Sequence, residues 1–414
     1  MTTGNESRRA VNSKNEVQKF NSARNALTAG FLGWTLDAFD FFILTFVFVP
    51  VATEFKVTVP AVALTLTASL AMRPVGAFIF GVMADRYGRR LPLMIDILFY
   101  SVIEVLSGLA PSYTTFFILR LLYGIGMGGE WGVGASLAME SVPAKWRGIL
   151  SGLLQEGYAL GYLLAAVAYY FVFPHWGWRP MFFIGGLPAL LTLFIRAKVS
   201  EPQAWKKTRT DWDSYWRSIP GHWRRFLYLV LLMAMMNFIS HGTQDLYPTF
   251  LQRQRQFSPG ATSIITAISM VGAICGGIAF GLFSDRRGRG RAMITALLLA
   301  IVITPLWILA PNKPLIVLGA FLMQFMVQGA WGVIPAHINE LSPQNLRGFF
   351  PGFAYQLGVL CASTIGYEEA VLGEHFSYTQ SMGILAVTVL FVGVIVIALG
   401  PEARGIKFGA DERP

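Results

Sequence analysis

Long apolar runs alternate with short polar breaks along the whole chain. Twelve such runs stand between charge clusters and Gly or Pro breaks, at about 26–52, 60–84, 91–110, 114–140, 148–172, 178–196, 226–251, 259–284, 292–311, 314–339, 347–371 and 377–399. A membrane-crossing helix needs roughly 20 mainly apolar residues, which is the length scale of these runs. The pattern predicts twelve transmembrane helices in an all-α integral membrane protein. The first 24 residues are polar, and the first apolar run is too long and lacks the small-residue cleavage site of a signal peptide. No cleaved leader is expected.

Composition narrows the class. Of 414 residues, 54% are hydrophobic and 14% charged, against about 25% charged in an ordinary soluble domain. That excludes disorder, a disulfide-stapled secreted scaffold and a routine cytosolic enzyme. Cys275 and Cys361 lie inside apolar runs and read as small core residues. The aromatic residues read mostly as lipid-facing surface and interface belt, with Trp176 and Trp178 at an outer edge. The net charge of +10 is a topology signal. With the N-terminus inside, 26 of the 33 Lys and Arg fall on cytoplasmic segments, and only Lys56, Arg253, Arg255 and Lys313 fall outside. Arg73, Arg120 and Arg179 lie within or at the edge of spans. This bias places both termini in the cytoplasm, across a plasma or bacterial inner membrane, and makes nucleic acid a poor partner.

The chain repeats itself at an offset of 200 residues. Gly81, Asp85, Arg86, Gly88 and Arg89 recur as Gly281, Asp285, Arg286, Gly288 and Arg289. Trp131, Gly132, Glu140, Pro143, Arg147 and Gly148 recur as Trp331, Gly332, Glu340, Pro343, Arg347 and Gly348. The layout is a tail (1–25), six spans (26–196), a basic central loop (197–225), six more spans (226–400) and a second tail (401–414). Two parallel six-span halves are expected of a transporter whose site lies between them. A duplicated scaffold without transport is the alternative.

The segment Gly81-Val-Met-Ala-Asp85-Arg86-Tyr87-Gly88-Arg89-Arg90 resembles the loop signature between the second and third spans of the major facilitator superfamily, and 281–291 fits the same pattern. The resemblance implies twelve helices in two pseudo-symmetric six-helix bundles. Physically, the glycines allow a tight loop, and the aspartate can meet arginines or a helix N-terminus as a latch. In the seventh span, Asn237-Phe-Ile-Ser240-His241-Gly-Thr243-Gln244-Asp245-Leu-Tyr-Pro-Thr249 is similar to the signature of Jen-type lactate and pyruvate permeases. Those permeases sit within the sialate:proton symporter family. Trp34 to Asp40 and Gly128-Gly129-Glu130-Trp131-Gly132 are similar to the same family.

The residues can be read without the resemblance. Asn237, His241 and Gln244 are spaced i, i+4, i+7 and share one helix face, with Ser240 and Thr243 beside it and Asp245 one turn past His241. Facing lipid, such a stripe would cost several kcal/mol. It forms either a hydrogen-bonded helix seam or a substrate and proton pathway, and an ionisable His-Asp pair exceeds what a seam needs. Arg73 lies too deep in span two to snorkel, and its planar fork suits a carboxylate. Its alternatives are internal pairing with Asp37, Asp40 or Glu130, which are candidate proton carriers. The resemblance implies substrate binding by an arginine in the Arg73 stretch and by Gln356, with Tyr355 beside it as a further candidate. Gln155 is similar in kind, and Glu140, Glu340, Arg147 and Arg347 read as inter-helix salt bridges.

No phosphate-binding loop, nucleophile turn or metal-spaced His/Cys cluster is present in the sequence, and His175, His222, His337 and His375 are scattered. No metal or organic cofactor is expected, only a proton as coupling ion, in a functional monomer. The reading is a proton-coupled symporter of a small monocarboxylate such as lactate or pyruvate. The alternatives are symport of sialate or another acidic sugar, and a non-transporting receptor on a transporter fold.

Overall fold

The computed structural model describes residues 3–208, 212–244, 247–363, 377–402, 404–406 and 408. Among these, the regular structure is helical. The first half holds α1 (Thr3–Phe46), α2 (Phe48–Phe55), α3 (Val59–Tyr87), α4 (Arg90–Gly108), α5 (Tyr113–Ser141), α6 (Arg147–Gln155), α7 (Gly157–Trp176), α8 (Arg179–Ile184) and α9 (Ala189–Lys198). Two short helices, α10 (Gln203–Thr208) and α11 (Trp212–Gly221), fill the basic central segment. The second half holds α12 (Trp223–Gln244), α13 (Tyr247–Arg253), α14 (Pro259–Arg287), α15 (Arg289–Leu309), α16 (Lys313–Leu341), α17 (Phe350–Ala362) and α18 (Tyr378–Leu399).

The sequence repeat is a repeat of structure. The helix pairs α3 and α14, and α5 and α16, begin and end at equivalent positions 200 residues apart. Their starts use equivalent chemistry. Thr58 and Ser258 cap α3 and α14, and Ser112 and Asn312 cap α5 and α16, each accepting a backbone N–H of the first turn. Gly88 and Gly288 end α3 and α14 at φ +100° and +109°, a turn that favours glycine.

Ten helical stretches among the described residues are long and apolar enough to cross a membrane. The two remaining expected spans are α5 and α17. The first is 29 residues long but carries Arg120 and Glu130, and 13 residues of the second are described. Several predicted spans are broken. The fifth is interrupted between α6 and α7, and the sixth between α8 and α9. Of the seventh, Trp223–Gln244 and Tyr247–Arg253 are described as helix. The helix of the first span reaches back to Thr3, through the segment read as a polar tail.

Close helix crossings hold each half together. A Cβ on Gly124 would strike the Ser69 carbonyl and one on Gly128 the Arg73 carbonyl, so α3 and α5 meet backbone to backbone. The second half repeats this with Gly272 and Gly276 against Phe321 and Phe325. Two expectations need correction. Cys275 and Cys361 are exposed rather than in the core, because the helix faces that carry them point outward. Trp178 is buried and donates to Glu54, while Trp176 is exposed.

Replacing Gly124 by Val is expected to destabilise the fold by about 2 kcal/mol or more, since a packed backbone contact leaves no room for a branched side chain. A thermal-shift series in detergent checks this. A melting temperature equal to the unsubstituted chain would show that α3 and α5 can part without cost.

Candidate functional site

A cavity of about 230 Å³ lies between the two halves. Its second-half wall is the polar face of α12: Asn237, Ser240, His241, Thr243 and Gln244. Gln324 and Gln328 of α16 stand behind it. Gln244 Nε2 donates to Gln324 Oε1 at 2.7 Å, and Gln328 Nε2 donates to Ser240 Oγ at 3.2 Å. Some of the stripe's polar atoms thus tie α12 to α16, as expected of a seam, and the same face lines the cavity. His241 is the one histidine among the described lining residues.

The floor is aromatic. Trp131 and Trp331, the repeat-related tryptophans, flank Tyr355 with ring centroids 4.5 and 6.0 Å from it. Trp34 closes the floor, stacked on Tyr158 at 5.5 Å. Gln155 lines the cavity and accepts from Trp131 Nε1 at 3.3 Å. Composition alone made these aromatics look like lipid-facing surface; the fold buries them at the centre.

Arg73 does not line the cavity. It is 5% exposed, and its Nη2 lies 3.8 Å from Asp37 Oδ2, the first of the internal partners weighed above. Tyr355 of that floor is near enough to both groups to interact with them electrostatically. Asp37, Asp40 and Glu130 are fully buried, and among the described residues their carboxylate oxygens accept no hydrogen bond. Two residues that the sequence reading passed over complete this group. Glu104 pairs with Arg120 at 2.6 Å, and Asp96 neighbours Glu130 and Asp37. Gln356 is buried at the seam with its Nε2 3.5 Å from the Gly128 carbonyl, outside the cavity lining. Asp245 lies outside the described residues.

The end of the molecule that bears the repeated Asp-Arg motifs is shut. Asp85 accepts the backbone N–H of Gly348 at 2.6 Å and of Phe349 at 3.0 Å, at the start of α17. Asp285 does the same with Gly148 at 2.9 Å and Ile149 at 3.1 Å, at the start of α6. Each aspartate thus binds the positive end of a helix in the other half. Arg89 holds Asp85 at 2.6 Å and Glu140 at 2.7 Å; Arg289 holds Asp285 at 2.8 Å and Glu340 at 3.0 Å. Two further pairs cross between the motif sets, Arg147 to Glu340 at 3.3 Å and Arg347 to Glu140 at 3.9 Å.

The Phe408 ring lies 3.5 Å from the Arg147 guanidinium carbon and 3.8 Å from that of Arg347, bridging the halves. Arg86 stands over the Trp212 ring, and Arg286 is exposed, so the anchoring arginines of the latch are Arg89 and Arg289. Glu201 caps the backbone N–H groups of Arg89 and Arg90. Burial raises its carboxyl above the usual range, while those two hydrogen bonds pull it back.

The comparisons agree with this architecture. The family model described as "Major Facilitator Superfamily" matches residues 30–354 and 246–411. The chain is 30% identical over 390 residues to "Sialic acid transporter NanX" of Escherichia coli, covering 92% of this chain and 95% of that one. It is 28% identical over 419 residues to "Carboxylic acid transporter protein homolog" of Saccharomyces cerevisiae, covering 91% and 68%. A solved structure of the proton:xylose symporter XylE superposes with a TM-score of 0.77 at 17% identity, covering 94% of this chain and 98% of that one. The fold is shared, and with its apolar helices the chain is an integral, multi-pass membrane protein.

Asp85→Asn is expected to loosen the shut end. Losing charge-assisted hydrogen bonds to two backbone groups and Arg89 costs about 1.5–3 kcal/mol. With Cys275 and Cys361 changed to Ser, a Cys at the buried Ala336 position reports the opening. Its alkylation should speed up about tenfold or more in the Asp85→Asn background. An unchanged rate would mean that the Asp85 grip does not control the seam.

Proposed function

The chain belongs to the Major Facilitator Superfamily, and on that premise we propose that it carries a small monocarboxylate, lactate- or pyruvate-like, together with a proton by alternating access. Its motif-bearing basic end faces the cytoplasm of a plasma or bacterial inner membrane. The observation that carries this reading is the cavity between the halves, walled by the Asn237–Gln244 face of α12 and backed by the Arg73–Asp37 pair. The names of the relatives support it, since a carboxylic acid homologue and a sialic acid carrier both point to acids.

In this cycle the acid enters from the outer side while the latch is shut. Asn237, Ser240 and Gln244 offer neutral hydrogen bonds, and His241, when protonated, adds a positive charge. Asp37 holds Arg73 at 3.8 Å, longer than a close bidentate pair. A carboxylate reaching past Tyr355 competes for the guanidinium, and Asp37, losing its cation, then takes up a proton. Anion and proton so favour each other's binding. Uptake of an anion against an inside-negative potential costs about 2.3 kcal/mol per charge per 100 mV. One co-transported proton removes that cost.

The amides around the cavity (Asn237, Gln244, Gln324 and Gln328) favour a second reading, an acidic sugar with several hydroxyls. Counterflow of radiolabelled lactate in proteoliposomes, competed by pyruvate, acetate and sialate, separates the two and distinguishes a transporter from a receptor. Absence of counterflow with every acid would overturn transport of this class.

Two outcomes are expected beyond this. Arg73→Lys should lower uptake at least tenfold although the charge is kept, because the two-pronged hydrogen bonding is lost; wild-type affinity in that variant would leave Arg73 a structural partner of Asp37. Uptake should rise as external pH falls and collapse with a protonophore, whereas pH-independent accumulation would rule out proton coupling.

A further inference from the structure

One buried carboxylate at the seam between the halves takes no part in the latch. Glu156 follows the last residue of α6 and precedes α7, at the break in the fifth span. Its chain neighbour Gln155 lines the cavity. Glu156 itself lies on α14, where a Cβ built on Gly277 would strike its Oε1, so the carboxyl occupies the space that this glycine leaves. The residue is 7% exposed, and Oε1 is buried with no hydrogen-bond partner.

The charged and titratable groups on the packed elements are directed elsewhere. Asp37 of α1 meets Arg73, and Asp40 lies near Glu104 and Arg120. On α6, Arg147 pairs with Glu340 of α16, which also holds Arg289. Asp285 of α14 binds Gly148, Ile149 and Arg289, and His337 of α16 neighbours Arg289 and Glu402. Tyr158 of α7 stacks on Trp34. Among the described residues, no cation pairs with Glu156. An ionised carboxyl in that position has no cation to offset its lost hydration, whereas a neutral one loses far less on burial.

We propose that Glu156 is a proton-binding site of the transport cycle, protonated while the basic end is shut and deprotonated into the cytoplasm when α6 and α14 part. The step is a simple ionisation: the carboxyl O–H bond breaks, the proton passes to water, and the carboxylate remains on the chain. The α6–α14 contact is the one that Asp285 fastens, so it must separate for that end to open. Separation admits water and makes the charged form affordable. The proton is therefore held more tightly in the shut arrangement, and by linkage it favours shutting. That contribution is present at low pH and is lost as pH rises.

The repeat supplies an independent argument. The position equivalent to Glu156 is Gln356, a neutral side chain of similar size buried at the opposite seam. An amide suffices there for packing; the carboxyl at Glu156 adds the ability to lose a proton. The same comparison predicts that Glu156→Gln folds.

The inference deepens the proton-coupled reading and is tested apart from any substrate. Nitroxide labels at positions 153 on α6 and 282 on α14, in a full-length chain with Cys275 and Cys361 changed to Ser, report the seam by double electron–electron resonance in liposomes. The separated population should grow with pH, by up to about tenfold per pH unit for one titrating group. Glu156→Gln should show a separated population that no longer changes with pH, while Glu156→Asp keeps a pH dependence. In transport, Glu156→Gln should retain counterflow and lose proton-driven accumulation. A pH response in Glu156→Gln equal to that of the unsubstituted chain, or none in either, overturns the proposal. A pH-sensitive seam abolished by Glu156→Gln, in a chain that moves none of the acids tested, upholds this site and overturns the substrate reading.

Discussion

Two aspartates decide which face of this molecule is closed. Asp85 and Asp285 each accept two backbone N–H groups at the start of a helix in the opposite half. Those N–H groups are ones a helix cannot satisfy internally, and at this depth water is a poor substitute. The bond set is therefore strong when formed, and its geometry is all-or-none. Everything else at that end follows from it: Arg89 and Arg289 neutralise the aspartates, Glu140 and Glu340 balance the arginines, and Phe408 covers the arginines that cross the seam. The cavity exists because the halves meet at this end.

The cavity face of α12 shows how one set of residues meets two demands. A membrane helix with Asn237, Ser240, His241, Thr243 and Gln244 on adjoining faces needs partners for its polar atoms. Gln324 and Gln328 supply some, and Met233 supplies a backbone carbonyl to Asn237. These bonds fix rotamers, so the remaining hydrogen-bonding capacity points into the cavity in a set arrangement. A seam and a cavity wall are the same structure here.

The sequence carried a good deal of this and lacked a definable remainder. The latch and the α12 stripe are each written within a dozen consecutive residues, so helical spacing and a fixed repeat expose them. The cost of burying Arg73 was legible too, but Asp37, Asp40 and Glu130 were equal partners on paper, and only the packing of α1 against α3 and α5 selects Asp37. Trp34, Trp131 and Tyr355 stood in or beside family-like motifs and Trp331 in the repeat, but nothing local says that their rings meet one another. Glu156 was passed over for the same reason: its meaning comes from a glycine on a helix of the other half.

The repeat also reveals what the halves do not share. At the offset that preserves the latch, each ionisable member of the buried first-half group has an uncharged counterpart. Asp37 becomes Asn237 and Asp40 becomes Ser240; Arg73, Asp96, Arg120 and Glu130 become Ala273, Ala296, Ala320 and Ala330; Glu104 becomes Thr304. That group thus holds five buried carboxyls against two guanidiniums, an excess that would be costly to keep fully ionised. Among the described residues, the second half offers amides and hydroxyls, with His241 as the one histidine at its cavity face. A cavity between such halves has a neutral, hydrogen-bonding wall on one side and a charged interior behind a floor of rings on the other. In the proposed cycle, an anion admitted from the neutral side perturbs the charged side by displacing one of its carboxylates, and a proton is the smallest particle that restores the balance. Gene duplication produced two equal latches; the divergence of seven positions set the chemistry that the latches enclose.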